Sequence, residues 1–146
     1  MVALPALFLV LPMVIVLTGL LLSKSEYPLG GGPENVPCAD VLEFGGAELP
    51  AGAEPVGDCT EAGWQDLYYS AVFRMPRADV EDWLSTSYPD APAPETEYCP
   101  DDDAAFCLDV DYTNGLSSVV GADGVKVSVV YVDAETALVR YSASTY

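Results

Sequence analysis

FCLDVDYTNGLSSVVGADGVKVSVVY, running from Phe106 to Tyr131, decides the fold. Phe106, Leu108, Val110 and Tyr112 alternate with Cys107, Asp109 and Asp111, which is the period of a strand with one face on a core. Asn114-Gly115 is a hairpin signal, since both residue types tolerate the positive φ of a tight turn. Leu116 to Val120 then reads as a short strand and Ala122-Asp123-Gly124 as a second turn. Val125, Val127, Val129 and Tyr131 resume the alternation. Beyond this stretch, Asp133 to Thr136 turns once more. Leu138 to Ser144 completes the sheet, with Val139, Tyr141 and Ala143 facing in.

Working back toward the N-terminus, Asp90 to Glu97 (DAPAPETE) is an extended Pro-rich loop. Before it, Pro76 to Pro89 carries Val80, Trp83, Leu84 and Tyr88 at helical spacing. Asp79, Glu81 and Asp82 suit the positive N-terminal end of that helix, and Pro89 stops it. Trp64 to Met75 is a strand: Leu67, Tyr69, Ala71 and Phe73 point one way, Tyr68, Ser70, Val72 and Arg74 the other. Residues 38–63 are punctuated by glycine and proline. They read as short strands or loops that need a Cys38–Cys59 bridge to stay ordered. The expected architecture is α+β, an antiparallel sheet of about four to five strands with one helix packed on a face. Ten aromatics are expected largely in the core: Trp64, Tyr68, Tyr69, Phe73, Trp83, Tyr88, Tyr98, Tyr112, Tyr131 and Tyr141. Tyr68 and Val72 lie on the opposite phase to Tyr69 and Phe73, which makes them a candidate partner-binding patch or a packing surface for 38–63.

The first 23 residues stand apart. Val2 to Leu22 contains no charge, and a helix of that length reaches roughly 30 Å, the thickness of a bilayer core. No Lys or Arg precedes the run and no A-x-A-like site follows it, so an uncleaved transmembrane anchor is the expectation and signal cleavage with secretion the alternative. Residues 24–37, with three glycines and three prolines, read as a linker. The domain proper is then 38–146.

Four cysteines, Cys38, Cys59, Cys99 and Cys107, with no histidine and no C-x-x-C, point to disulfides rather than zinc. Local pairing gives Cys38–Cys59 and Cys99–Cys107. Oxidised thiols place the domain outside the cytoplasm, against the weak opposite vote of Lys24. Twenty-three acidic residues oppose five basic ones, for a net charge of −18. No basic patch exists, which excludes nucleic acid as a partner class and favours cationic partners.

The densest chemistry is acidic. Asp101, Asp102 and Asp103 sit between two cysteines, and Asp109 and Asp111 share a strand face with Cys107. A Cys99–Cys107 bridge folds the Asp loop back over that face, where five carboxylates have the oxygen chemistry calcium requires. The competing reading is a solvated acidic surface. Without histidine there is no Ser-His or Cys-His machinery, and no acid is set in apolar surroundings as a carboxylate hydrolase needs. The sequence therefore points to a non-enzymatic, membrane-anchored extracytoplasmic module. It would be tied to the bilayer by its N-terminal helix and bind a protein partner in or on the membrane as an accessory subunit. A calcium or small-ligand domain is the first alternative and a carboxylate hydrolase the second.

Overall fold

A computed structural model describes residues 12–19 and 32–146, which fall into two units divided between Gly32 and Pro33. In the first unit, residues 12–19 form a helix, α1, in which the Thr18 hydroxyl donates to the Val14 carbonyl at 2.7 Å. Among the described residues no helix is long and apolar enough to cross a membrane. The expected span over 1–23 and the linker over 24–37 lie mostly outside the described residues.

The second unit is an antiparallel sheet with helices and two disulfides, as expected, but it has seven strands rather than the expected four to five and two α-helices rather than one. Its elements in chain order are β1 (Glu34–Asn35), α2 (Cys38–Phe44), β2 (Glu54–Pro55), β3 (Thr60–Gly63), β4 (Leu67–Pro76), α3 (Val80–Ser87), β5 (Phe106–Asp111), β6 (Gly124–Tyr131) and β7 (Thr136–Ser144). The strand order is β1-β3-β4-β7-β6-β5, with β2 also paired to β4. After β4 the chain crosses by α3 to the far edge, then returns β5, β6, β7 until β7 lies against β4. The long β4–β7 ladder runs from Tyr68 opposite Ser144 to Pro76 opposite Thr136.

One sheet face makes the core. Ala71, Phe73 and Met75 of β4 register with Tyr141, Val139 and Ala137 of β7. Val125, Val127 and Val129 of β6, and Phe106, Leu108 and Val110 of β5, continue the same face. All are buried, as strict alternation requires when one face meets a core. Val80, Leu84 and Tyr88 of the α3 segment and Val41 and Leu42 of α2 join this core. Trp83 meets Phe73 edge to face at 5.7 Å between centroids, and its indole N–H donates to the Glu48 carbonyl at 2.9 Å. The Tyr88 hydroxyl lies 2.7 Å from that of Tyr141 and also donates to the Gly45 carbonyl at 2.9 Å. A side chain at Gly45 would collide with the Tyr141 hydroxyl, so the close approach of α2 to β7 requires glycine. Burial pushes the Tyr88 hydroxyl up to about 12, and raises that of Tyr141 as well.

Four expectations need correction. First, residues 38–63 contain a helix, α2, whose seven residues are too few to display a helical period; Val41 and Leu42 bury its inner side. Second, Leu116 to Val120 is not a strand, and the β5–β6 connection is one long loop. Asn114 reaches its side chain back to the β5 backbone there, accepting from the Asp111 N–H at 2.7 Å and donating to the Asp109 carbonyl at 3.2 Å. The Leu116 N–H then closes a wider turn onto the Asp111 carbonyl at 2.8 Å, and Leu116 packs into the core. Gly115, at φ 129°, sits too close to the Asp90 carbonyl for any side chain. Third, Pro33 to Pro37 belong to the folded unit, because Glu34 and Asn35 pair with Glu61 and Thr60. Fourth, Trp64, Tyr98 and Tyr112 are exposed, since they lie in turns or loops where strand alternation does not apply.

Candidate functional site

The other sheet face is polar, and its register fixes which side chains meet. One row reads Val72, Arg140, Ser128 and Cys107 across β4, β7, β6 and β5. The next reads Ser70, Ser142, Lys126 and Asp109. Tyr68 begins a third, opposite Ser144, and is about half exposed. Alternation along each strand sends these residues away from the core as strictly as it sends Phe73 and Val139 into it.

The segment between α3 and β5 turns this face into a groove. Glu95 and Cys107 exchange backbone hydrogen bonds at 2.8 Å, which closes the free edge of β5. The Cys99–Cys107 disulfide, with its Cα atoms 5.6 Å apart, then fixes the following loop to the strand. The second bridge, Cys38–Cys59, ties the start of α2 to the residue before β3, Cα to Cα 5.1 Å. Pro92, Ala93, Glu95, Tyr98, Pro100 and Asp101 wall a groove of about 770 Å³ whose floor carries Tyr68, Val72, Ser128 and Arg140. That volume falls in the range of small-molecule and peptide sites.

Electrostatics hold the loop in place. Arg140 donates to both Asp103 oxygens, at 2.9 and 3.1 Å, and lies 3.3 Å from Asp101. A bidentate guanidinium–carboxylate pair is directional as well as attractive. The guanidinium holds the Asp103 carboxyl below the usual carboxylate range. Lys126 pairs with Asp109, its cross-strand partner, at 2.6 Å, and its ammonium is raised in consequence. Asp111 is turned to the β5 terminus, where Thr113 donates its hydroxyl and N–H to the carboxylate and lowers its pKa.

The five acidic residues of the expected calcium site therefore occupy different settings. Asp101 and Asp103 are on Arg140, Asp102 is exposed in the turn between them, Asp109 is on Lys126, and Asp111 caps a turn. The Asp loop does fold over the strand face. Among the described residues, however, no three Asp, Glu, Cys or His side chains are gathered closely enough to hold a metal ion. Binding calcium there would require Asp101 and Asp103 to give up Arg140. The expected patch residues, Tyr68 and Val72, both line the groove. Arg77 lies over the Tyr131 ring, 3.7 Å from its centroid, and donates to the Asp133 carbonyl.

Sequence reasoning missed Ser128. Its residue is 7% exposed and its hydroxyl is buried without a hydrogen-bond partner. Unpaired buried hydroxyls are uncommon enough to require an explanation. The Val-Ser-Val alternation places Ser128 outward, between Cys107 and Arg140 in the groove, and nothing in that alternation signals its burial. A second hollow of about 490 Å³ lies on the core side, between α3, the Pro-rich loop and β5, with Leu84, Pro92, Pro94 and Phe106 among its walls.

No family model, no curated protein and no solved structure matches this chain.

Proposed function

We propose that this chain is a non-enzymatic binding module, displayed outside the cytoplasm from an N-terminal membrane anchor, that docks a protein partner in the groove on its polar sheet face. The observation that carries the reading is the groove: a rigid sheet floor with one wall tied down by a disulfide and a bidentate ion pair. Such a wall keeps its shape without a ligand, which reduces the ordering cost of binding. The uncharged run Val2 to Leu22 supports the anchor, and four cysteines, all bridged, support an oxidising compartment.

Three of the acids are unsuited to the role of general acid. Asp103, Asp111 and Asp133 all have their pKa values moved downward by hydrogen bonds. A general acid needs the opposite shift.

The test uses a photo-crosslinking residue placed in the full-length protein in native membranes, at Val72 in the groove and, as control, at the exposed Asp79 before α3. The expected result is a discrete adduct from position 72 that position 79 does not give. Equal labelling from both positions would remove the groove from the proposal. Turnover of a substrate that is lost on one Asp or Glu substitution would overturn the non-enzymatic reading.

A further inference from the structure

We infer that the groove takes a cationic segment of its protein partner, a short stretch presenting lysine or arginine; this rests on the reading of the groove as a docking site. Three independent observations converge.

The first is charge. The groove and its rim carry Glu95, Asp101, Asp103 and Asp109 against only Lys126 and Arg140, and both cations are already paired. The surplus is negative, in a chain with a net charge of −18. A field of this sign draws in basic partners and repels acidic ones.

The second is aromatic. Tyr68 stands half exposed on the floor and Tyr98 is 83% exposed on the wall. Ring faces near carboxylates are the chemistry that receives ammonium and guanidinium groups. The molecule already uses this contact elsewhere, with Arg77 over Tyr131.

The third is Ser128. Its buried, unpartnered hydroxyl on the floor offers an oxygen to an incoming N–H donor. A nonpolar occupant would leave that hydroxyl unsatisfied, and an anionic one would meet surplus carboxylate. A lysine or arginine side chain satisfies both the hydroxyl and the field.

The experiment uses the full-length chain in zwitterionic detergent micelles at physiological salt. The probe is a fluorescently labelled hexapeptide alternating glycine and lysine, blocked at both ends, followed by anisotropy. The informative variants do not change the charge: Tyr68→Ala and Ser128→Val, with Tyr98→Ala as a wall variant outside the core. Each should weaken binding about fivefold, the loss of one cation–π contact or one hydrogen bond to a charged group. A control variant, Asp79→Asn/Asp82→Asn, removes two charges from the α3 segment, which packs on the opposite face of the sheet and lines no part of the groove, and should change affinity by less than about twofold, since such charges are screened. If the neutral variants bind as wild type while the control weakens, attraction is by net charge alone and the inference falls. If the lysine peptide does not bind but an uncharged Gly-Ser peptide or a neutral oligosaccharide does, with the same Tyr68 dependence, the groove stands and its cationic occupant does not. Should Ser128→Val fail to fold, Tyr98→Ala and Tyr68→Ala decide the matter. Loss of the crosslink at Val72 would instead remove the docking site itself.

Discussion

The two faces of one sheet are built by the same alternation and serve opposite ends. On the inner face Phe73, Val139, Val129 and Val110 are fully buried under α2 and α3. On the outer face Val72, Arg140, Ser128 and Cys107 form a row across the same four strands, covered only at one side by a loop. The inner face is closed by nonpolar contact, which is nondirectional and tolerant of detail. The outer face is organised by few directional links: a disulfide, a bidentate ion pair and one edge hydrogen-bond pair. Stability should therefore concentrate inside, and the shape of the groove should depend on single residues outside.

Adjacent residues of β4 give the sharpest way to break this contrast. Phe73→Ala removes a fully buried ring and its contact with Trp83, and should cost about 3–5 kcal/mol. Val72→Ala, one position along and on the opposite face, should cost less than about 1 kcal/mol, because its site is partly open to solvent. Urea unfolding followed by far-UV circular dichroism measures both. Comparable losses would mean that the outer face is also a core.

The disulfides sharpen the comparison next. Cys38–Cys59 closes a separation of 21 residues and Cys99–Cys107 one of 8. Chain entropy assigns them about 3 and about 2.5 kcal/mol. Their structural consequences should differ more than these figures. Cys59 is buried in the core, so Cys38→Ala/Cys59→Ala should loosen α2 together with β1 and β3. Cys99→Ala/Cys107→Ala should leave the sheet intact and release the groove wall. Amide hydrogen exchange distinguishes them. Protection should fall across 34–63 in the first variant and across 95–104 in the second, with β6 and β7 protected in both.

How much of this was legible in sequence follows the same division. Alternation in β4, β5, β6 and β7 displays the inner face, and Val80, Leu84 and Tyr88 display the helix that covers it. The local cysteine pairs are the pairs present. By contrast, α2 spans two turns and β1 and β2 two residues each, lengths at which no periodicity can accumulate. They exist because β3 offers an edge to β1, β4 offers one to β2, and the core offers room for α2. Asn114-Gly115 misled because the same dipeptide serves tight hairpins and wider loops. Its outcome depended on the Asn114 side chain and on the distant Asp90 backbone. The acidic cluster was visible, but its partner Arg140 lies 37 residues from Asp103 in sequence, and only the sheet register brings the two together.

The smallest effect expected is also the one that tests the two faces by a single variable, pH. Asp103 has a folded pKa below its ordinary 3.8, caused first by the Arg140 hydrogen bond. Its contribution is therefore complete above the unfolded value and is lost as pH falls through the lower, folded one. The Tyr88 hydroxyl behaves oppositely. Burial raises it from 10.0 to about 12, so its contribution is complete below 10.0 and is lost as pH rises through about 12. The Asp103–Arg140 contact of the groove wall should therefore loosen at the acid end and the buried tyrosine pair of the inner face at the alkaline end, where the outer Lys126–Asp109 pair is lost as well. Carboxyl-carbon NMR should find the Asp103 midpoint below 3.8, returning to the ordinary range in Arg140→Gln. The Phe73 ring signals should stay unchanged through that acid transition. An Asp103 midpoint at or above 3.8 would mean that the ion pair does not hold the wall. Movement of Phe73 with Asp103 would mean that the two faces open as one.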